Sequence, residues 1–253
     1  MSNQFLDRPR RRVWVWLLLG AIGLLALVAI GVAIESAASR HKPENTTPPS
    51  PVPFNASSPA ATVGPSASAS GSPLAVSTEP LTLVQGREYV EAMYVGYPHS
   101  QAGAVSAAAE YWTELGSTLD PDRAAAIARL AADPRWTQAA AYLAEGPVNT
   151  RKGMDIAASG PVPTGASVQL EPVEYQIRVL TSVSTTVLLL ADYTTTSPDQ
   201  GTATHIGVFP MQLVWTAGDW KIAEPSDQET YSGLAAVPGS AQAAAYGWQE
   251  LNQ

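Results

Sequence analysis

Around Gly146-Pro147 the spacing of apolar side chains changes, and this limits the fold more than any other feature of the chain. Upstream, apolar residues recur at intervals of three and four, the repeat that gives a helix one buried stripe. Downstream they recur at every second position, the repeat of a strand with one covered face. Helices first and consecutive antiparallel strands afterwards is an α+β order. The helical stripes then have one evident place to go, the concave face of a curved sheet.

The first helix is predicted within Met93–Leu115, behind a short lead-in element at Glu88–Tyr94. Gly96-Tyr97-Pro98 makes a turn, and His99 or Ser100 supplies the cap. Serine suits that place because its oxygen accepts from the exposed amides of the first turn. Ala104, Val105, Ala108, Tyr111, Trp112 and Leu115 form the stripe, and Gly116 is read as the stop. Asp120-Pro121-Asp122 starts a second helix, with a cap, a proline at the first helical position and a carboxylate against the dipole. Its apolar positions are Ala124, Ile127, Ala128 and Leu130. Asp133-Pro134 repeats the signal for a third helix, with Trp136, Ala140 and Leu143 inward, ended by Gly146-Pro147.

In the first strand Val173, Tyr175, Ile177 and Val179 alternate with Glu174, Gln176 and Arg178, so the polar set is expected on the open face. Thr186–Thr195 is a second strand, and Ser197-Pro198-Asp199-Gln200-Gly201 a hairpin connection. His205–Trp215 is a third, bent or bulged at Pro210 because proline cannot donate to a ladder. Ala217-Gly218-Asp219 then turns the chain into Trp220-Lys221-Ile222-Ala223.

Far upstream, Val13–Ile34 reads VWVWLLLGAIGLLALVAIGVAI without a charge. At 1.5 Å per residue this run reaches about 33 Å, enough for a hydrocarbon core of about 30 Å. Trp14 and Trp16 suit the interface, and Arg8, Arg10, Arg11 and Arg12 favour a cytoplasmic N-terminus. The rival reading is a cleaved signal peptide with small residues at Ser36-Ala37-Ala38. Its apolar core would usually span about 7–15 residues, so an uncleaved single-pass anchor is expected. Between 35 and 84 the many prolines stop helix and sheet from propagating. Little apolar surface is available there to offset the ordering entropy. The glycosylation-like triplets at Asn45 and Asn55 are read as chance. The chain therefore divides into a basic cytoplasmic tail (1–12), a transmembrane helix (13–34), a disordered spacer (35–84), an extracytoplasmic domain (85–225) and a tail packing on it (226–253). In that tail Tyr231, Leu234, Tyr246, Trp248 and Leu251 are the apolar contacts, and Ser240 caps a short helix.

Composition removes several functions. The chain has no cysteine, which excludes disulfides, thiolate metal sites, cysteine nucleophiles and lipoprotein acylation. Its net charge is −8, and four of its 14 basic residues precede the apolar run. An acidic exterior without a basic cluster argues against nucleic acid, whose phosphates need Lys and Arg on one face.

The order of elements, closing in "MQLVWTAGDWKIAEP" (Met211–Pro225), resembles the nuclear transport factor 2-like cone fold. In that fold helices cover a strongly bent antiparallel sheet, and the last hairpin often carries a turn of the kind formed here by Trp215, Gly218, Asp219, Trp220, Lys221 and Ile222. With the basic tail, the anchor, the spacer and "VGYPHSQAGAVSAAA", the chain is similar to actinobacterial membrane proteins found with conjugative elements. In architecture it also resembles the single-span scaffold subunits of type IV secretion channels. The likeness covers roughly residues 86–225 and the anchor.

Candidates for chemistry are few. His99, beside Pro98 at a helix start, reads as a turn and capping residue. His41 lies in the spacer and His205 on a strand, so no histidine pair has metal-ligand spacing. Cone-fold enzymes can place an acid and a tyrosine in the cavity mouth. Asp192 and Tyr193 are adjacent on one strand, so at most one of them points inward. Trp215 and Trp220 read as sheet staples. No catalytic, cofactor-binding or metal-binding residue is assigned, and no cofactor is expected. The resemblance implies a non-enzymatic scaffold or adaptor in the cell membrane. It would assemble with protein partners, possible ones being itself and channel subunits of a conjugation or secretion apparatus. Such a domain would have its cavity closed by side chains such as Trp112 and Leu143. The alternative is a lipid- or small-molecule-binding module using an open cavity, with an isomerase or dehydratase of the same fold as a third reading.

Overall fold

The computed structural model describes residues 80–226 and 230–252. The expected basic tail, the membrane span and the spacer up to residue 79 lie outside them. Among the described residues no helix is long and apolar enough to cross a membrane.

The domain is α+β, with three helices packed on a curled six-stranded half-barrel sheet. In chain order the elements are β1 (Leu81–Thr82), β2 (Glu88–Val90), β3 (Met93–Val95), α1 (Gln101–Gly116), α2 (Pro121–Ala131) and α3 (Ala139–Gly153). Then come β4 (Ser167–Leu180), β5 (Ser184–Ser197), β6 (Gly201–Thr216), β7 (Asp219–Ile222), α4 (Ala241–Tyr246) and β8 (Gln249–Asn252). The main sheet runs β1-β8-β4-β5-β6-β7, while β2 and β3 form a separate hairpin. All pairs are antiparallel except β1 with β8. Leu81, inside the stretch expected to be spacer, is already part of the fold, because it is buried and has the last strand to pair with.

Local signals place the helix starts. Ser100 caps α1 by accepting from the Gly103 amide, and Asp120 caps α2 by accepting from the Asp122 amide. The stripe of α1 is buried as expected, with Ala104, Val105, Ala108 and Tyr111 fully covered. Gly116 is not a left-handed stop. Its backbone lies against Leu170, where an added Cβ would stand 2.5 Å from Cδ1 and 2.7 Å from Cβ. Close approach of helix to sheet requires the glycine.

The third helix differs from expectation at both ends. Asp133 forms a turn, its carboxylate accepting from the Arg135 amide at 3.0 Å, and α3 begins only at Ala139. It then runs through Pro147 to Gly153. A proline inside a helix costs about 3 kcal/mol, so something must hold the second half. Arg151 does so: its buried guanidinium donates to the carbonyls of Leu119, Ala157 and Gly160.

The sheet is covered on both sides. Val187, Leu189 and Ala191 face the helices with Leu170, Tyr175, Phe209 and Met211. Leu188, Leu190 and Val208 face Ala236, Ala243 and Trp248 of the C-terminal segment. That segment overturns the expected polar face of β4. Glu174 and Gln176 are buried, while Val179 is exposed. Glu174 accepts from the Gly239 amide, and the Gln176 amide donates to the Tyr246 carbonyl. Register shifts lie in β4, at Pro172/Glu174 and Ile177/Val179. The β5–β6 register passes Pro210 without one, so no bulge lies at Pro210.

Candidate functional site

The two sequence motifs meet at one end of the domain. Gly96-Tyr97-Pro98-His99, before α1, docks on the β6–β7 turn. Ala217 and Gly218 both have positive φ, 51° and 77°, which makes a tight hairpin. Asp219 is buried beside it, accepting from the Tyr97 amide at 2.7 Å and pairing with Lys221 at 2.9 Å. Lys221 also donates to the Leu130 carbonyl at the end of α2. Trp220 donates its ring N–H to the Pro98 carbonyl, and Tyr111 donates its hydroxyl to the Trp220 carbonyl at 3.0 Å. Arg87 bridges the Gly96 and Gly218 carbonyls.

His99 lies flat on Trp215, with ring centroids 4.1 Å apart, and its Nε2 is 2.7 Å from the Ser182 carbonyl. Trp215 and Trp220 contact edge to face at 5.4 Å. This histidine is held by stacking and one carbonyl. Ser100, not His99, makes the cap. The arrangement is a clamp that fixes α1 to the last hairpin. Sequence reasoning treated Gly218-Asp219 as turn chemistry and missed Arg87. The charge of Asp219 inside an apolar hairpin was the signal that it had a buried partner.

The concave face is filled. Trp112 packs edge-on against Phe209 at 5.4 Å and donates to the Pro210 carbonyl. Tyr193 leans on Phe209, and its hydroxyl lies 3.1 Å from Thr150 Oγ1 on α3. Leu143 is partly buried against the same core. Burial raises the Tyr97 and Tyr111 hydroxyls well above the ordinary range and raises that of Tyr193 as well, so all three stay protonated. Strand parity puts Asp192 on the other face, opposite Glu171 and Ile206, so the acid and the tyrosine are not brought together. His205 is exposed on β6, and His41 lies outside the described residues. Among the described residues no group of His, Asp and Glu side chains could hold a metal ion. A cleft of about 170 Å³ lies between β4 and the end of α4, lined by Tyr175, Gln176, Ile177, Arg178, Tyr246, Gly247 and Gln249.

A family profile described as a domain of unknown function (DUF8175) matches residues 87–244. The chain belongs to that family. No curated protein and no solved structure matches it. The DUF8175 match starts at Arg87, the clamp residue, and runs into α4. The family domain thus takes in most of the C-terminal segment that covers the outer face of the sheet, though not Trp248, and runs beyond residue 225 where the expected resemblance stopped.

Proposed function

We propose that this protein is a non-enzymatic, membrane-anchored scaffold or adaptor of a conjugation or secretion apparatus, assembling through its DUF8175 domain outside the membrane. The observation that carries this reading is the filled concave face. Trp112, Phe209, Tyr193 and Tyr111 occupy the space in which a cone-fold enzyme or lipid carrier would hold its ligand. The helices lock onto the sheet through the Tyr97–Asp219 clamp, which favours a rigid body presenting surfaces over one that opens. The apolar run at Val13–Ile34 supports the anchor, and the likeness to single-span secretion subunits supplies the setting.

The test is complementation of a deletion strain. Full-length protein restores conjugative transfer or secretion. A version with residues 1–34 replaced by a cleavable secretion signal is exported and folded but does not restore it. Unchanged transfer in the deletion strain, or full rescue by the released domain, would overturn the reading.

A further inference from the structure

β6 is an edge strand for most of its length. β7 pairs with it only from Leu213 to Thr216, so among the described residues 201–211 have β5 on one side and no strand on the other. The direction of the free groups follows from parity. The Gln212 carbonyl accepts from the Ala223 amide, on the β7 side, and the Trp215 amide donates to Val183, on the β5 side. Even-numbered residues of β6 therefore turn their N–H and C=O outward. The Pro210 carbonyl is taken by Trp112, and proline has no amide to give. What remains is a window of four outward residues, Thr202, Thr204, Ile206 and Val208, between the hairpin at Gly201 and the closed end at Pro210.

Other edges of the sheet are met in part by neighbours. The Ile222 carbonyl on β7 accepts from the Asp133 amide, and the Leu170 amide on β4 donates to Ser117 Oγ. β1 is two residues long. Natural edges are commonly guarded by charge, yet Gly201–Thr216 contains no Asp, Glu, Lys or Arg. All four outward residues are β-branched and favour strand.

We propose that this window is a self-pairing edge, through which two copies of the chain join their sheets antiparallel. A second copy fits for two reasons. The chain is acidic overall, at −8, and an uncharged edge is where two like-charged molecules can meet. The window is also self-complementary. One register uses all four outward residues, setting Thr202 opposite Val208 and Thr204 opposite Ile206, with about eight N–H···O bonds. His205 then faces the His205 of the other copy across the twofold axis. The proposal deepens the scaffold reading and rests on it for its purpose, though not for its geometry.

The cysteine-free sequence makes the test clean. Residues facing each other in a non-hydrogen-bonded antiparallel pair have Cα atoms about 4.5 Å apart, within disulfide reach. Full-length His205→Cys, oxidised in membranes, should run mainly as a dimer on a non-reducing gel. Tyr89→Cys, exposed on the β2 hairpin, should not. Adding Ile206→Lys to His205→Cys should abolish the dimer while the exposed site tolerates the change. Amide exchange at 202, 204, 206 and 208 should be slowed in the wild-type protein and fast in Ile206→Lys. A His205→Cys yield no greater than that of Tyr89→Cys overturns the proposal. Slowed exchange without the disulfide also overturns it, because another strand then occupies the edge. Either failure leaves the scaffold reading standing, since the complementation result does not depend on β6.

Discussion

The amide of Tyr97 donates to Asp219 Oδ1 over 2.7 Å, joining the turn before the first helix to the last hairpin across 122 positions of sequence. Asp219 also holds Lys221 and is buried. Removing this carboxylate leaves the buried Tyr97 amide without a partner and the Lys221 ammonium with the Leu130 carbonyl but no counter-charge. Asp219→Ala should therefore cost about 3 kcal/mol. Asp219→Asn, which keeps the acceptor, should cost less. Urea denaturation followed by tryptophan fluorescence measures both, because Trp215 and Trp220 sit at the clamp.

Gly116→Ala separates helix propensity from packing. Propensity alone would stabilise α1 by up to about 1 kcal/mol. The new methyl group would meet Leu170, so a net loss of about 1–3 kcal/mol is expected instead. A rise in the thermal midpoint would mean that α1 stands further from β4 than described.

Arg151 gives a second test of packing, at the far end of α3. Its guanidinium serves three carbonyls through Nε and Nη1, a fork that lysine cannot copy. Arg151→Lys should lose about 2 kcal/mol, since two of the carbonyls lose a charged donor. Exchange should quicken in the α3 turn after Pro147 before it does elsewhere.

Two carboxylates predict opposite pH effects. Burial raises Glu110 above the usual carboxylate range, reinforced by nearby Glu114 and opposed by the bond from the Tyr94 amide. A raised folded value means stability that is present at low pH and lost as pH rises through that value. Glu110→Gln keeps the acceptor for Tyr94 and should raise the thermal midpoint at neutral pH, with no gain below about pH 3. Asp133 is held below the usual range by its hydrogen bonds from Arg135. Its contribution is present above the ordinary carboxylate value and fades as pH falls through the folded one, so Asp133→Asn should weaken the protein at neutral pH only. Thermal melts of the two variants across the acid range check both signs.

What could be read in the sequence was local. The caps at Ser100, Asp120 and Ser240 depend on a few adjacent residues, and each stands where the pattern put it. The strand repeat found β4, β5 and β6, and the α+β order followed. What failed was set by distant chain. Pro147 reads as a helix stop until Arg151 reaches Leu119, and Glu174 reads as solvent-facing until the segment at Gly239–Trp248 folds over it. Both halves of the clamp were visible as motifs. Their contact was not, because nothing in either states what lies opposite.

The central claim, a closed domain that works by assembling with proteins, is tested most directly in living cells. A photoreactive residue placed in the full-length chain at exposed positions such as Ile206, Tyr142, Val179 and Val237 is irradiated, and the captured species are purified from membranes and identified by mass spectrometry. The account predicts capture of the chain itself and of channel or ATPase subunits of one apparatus. Recovery of a lipid or small metabolite without any such protein would contradict it.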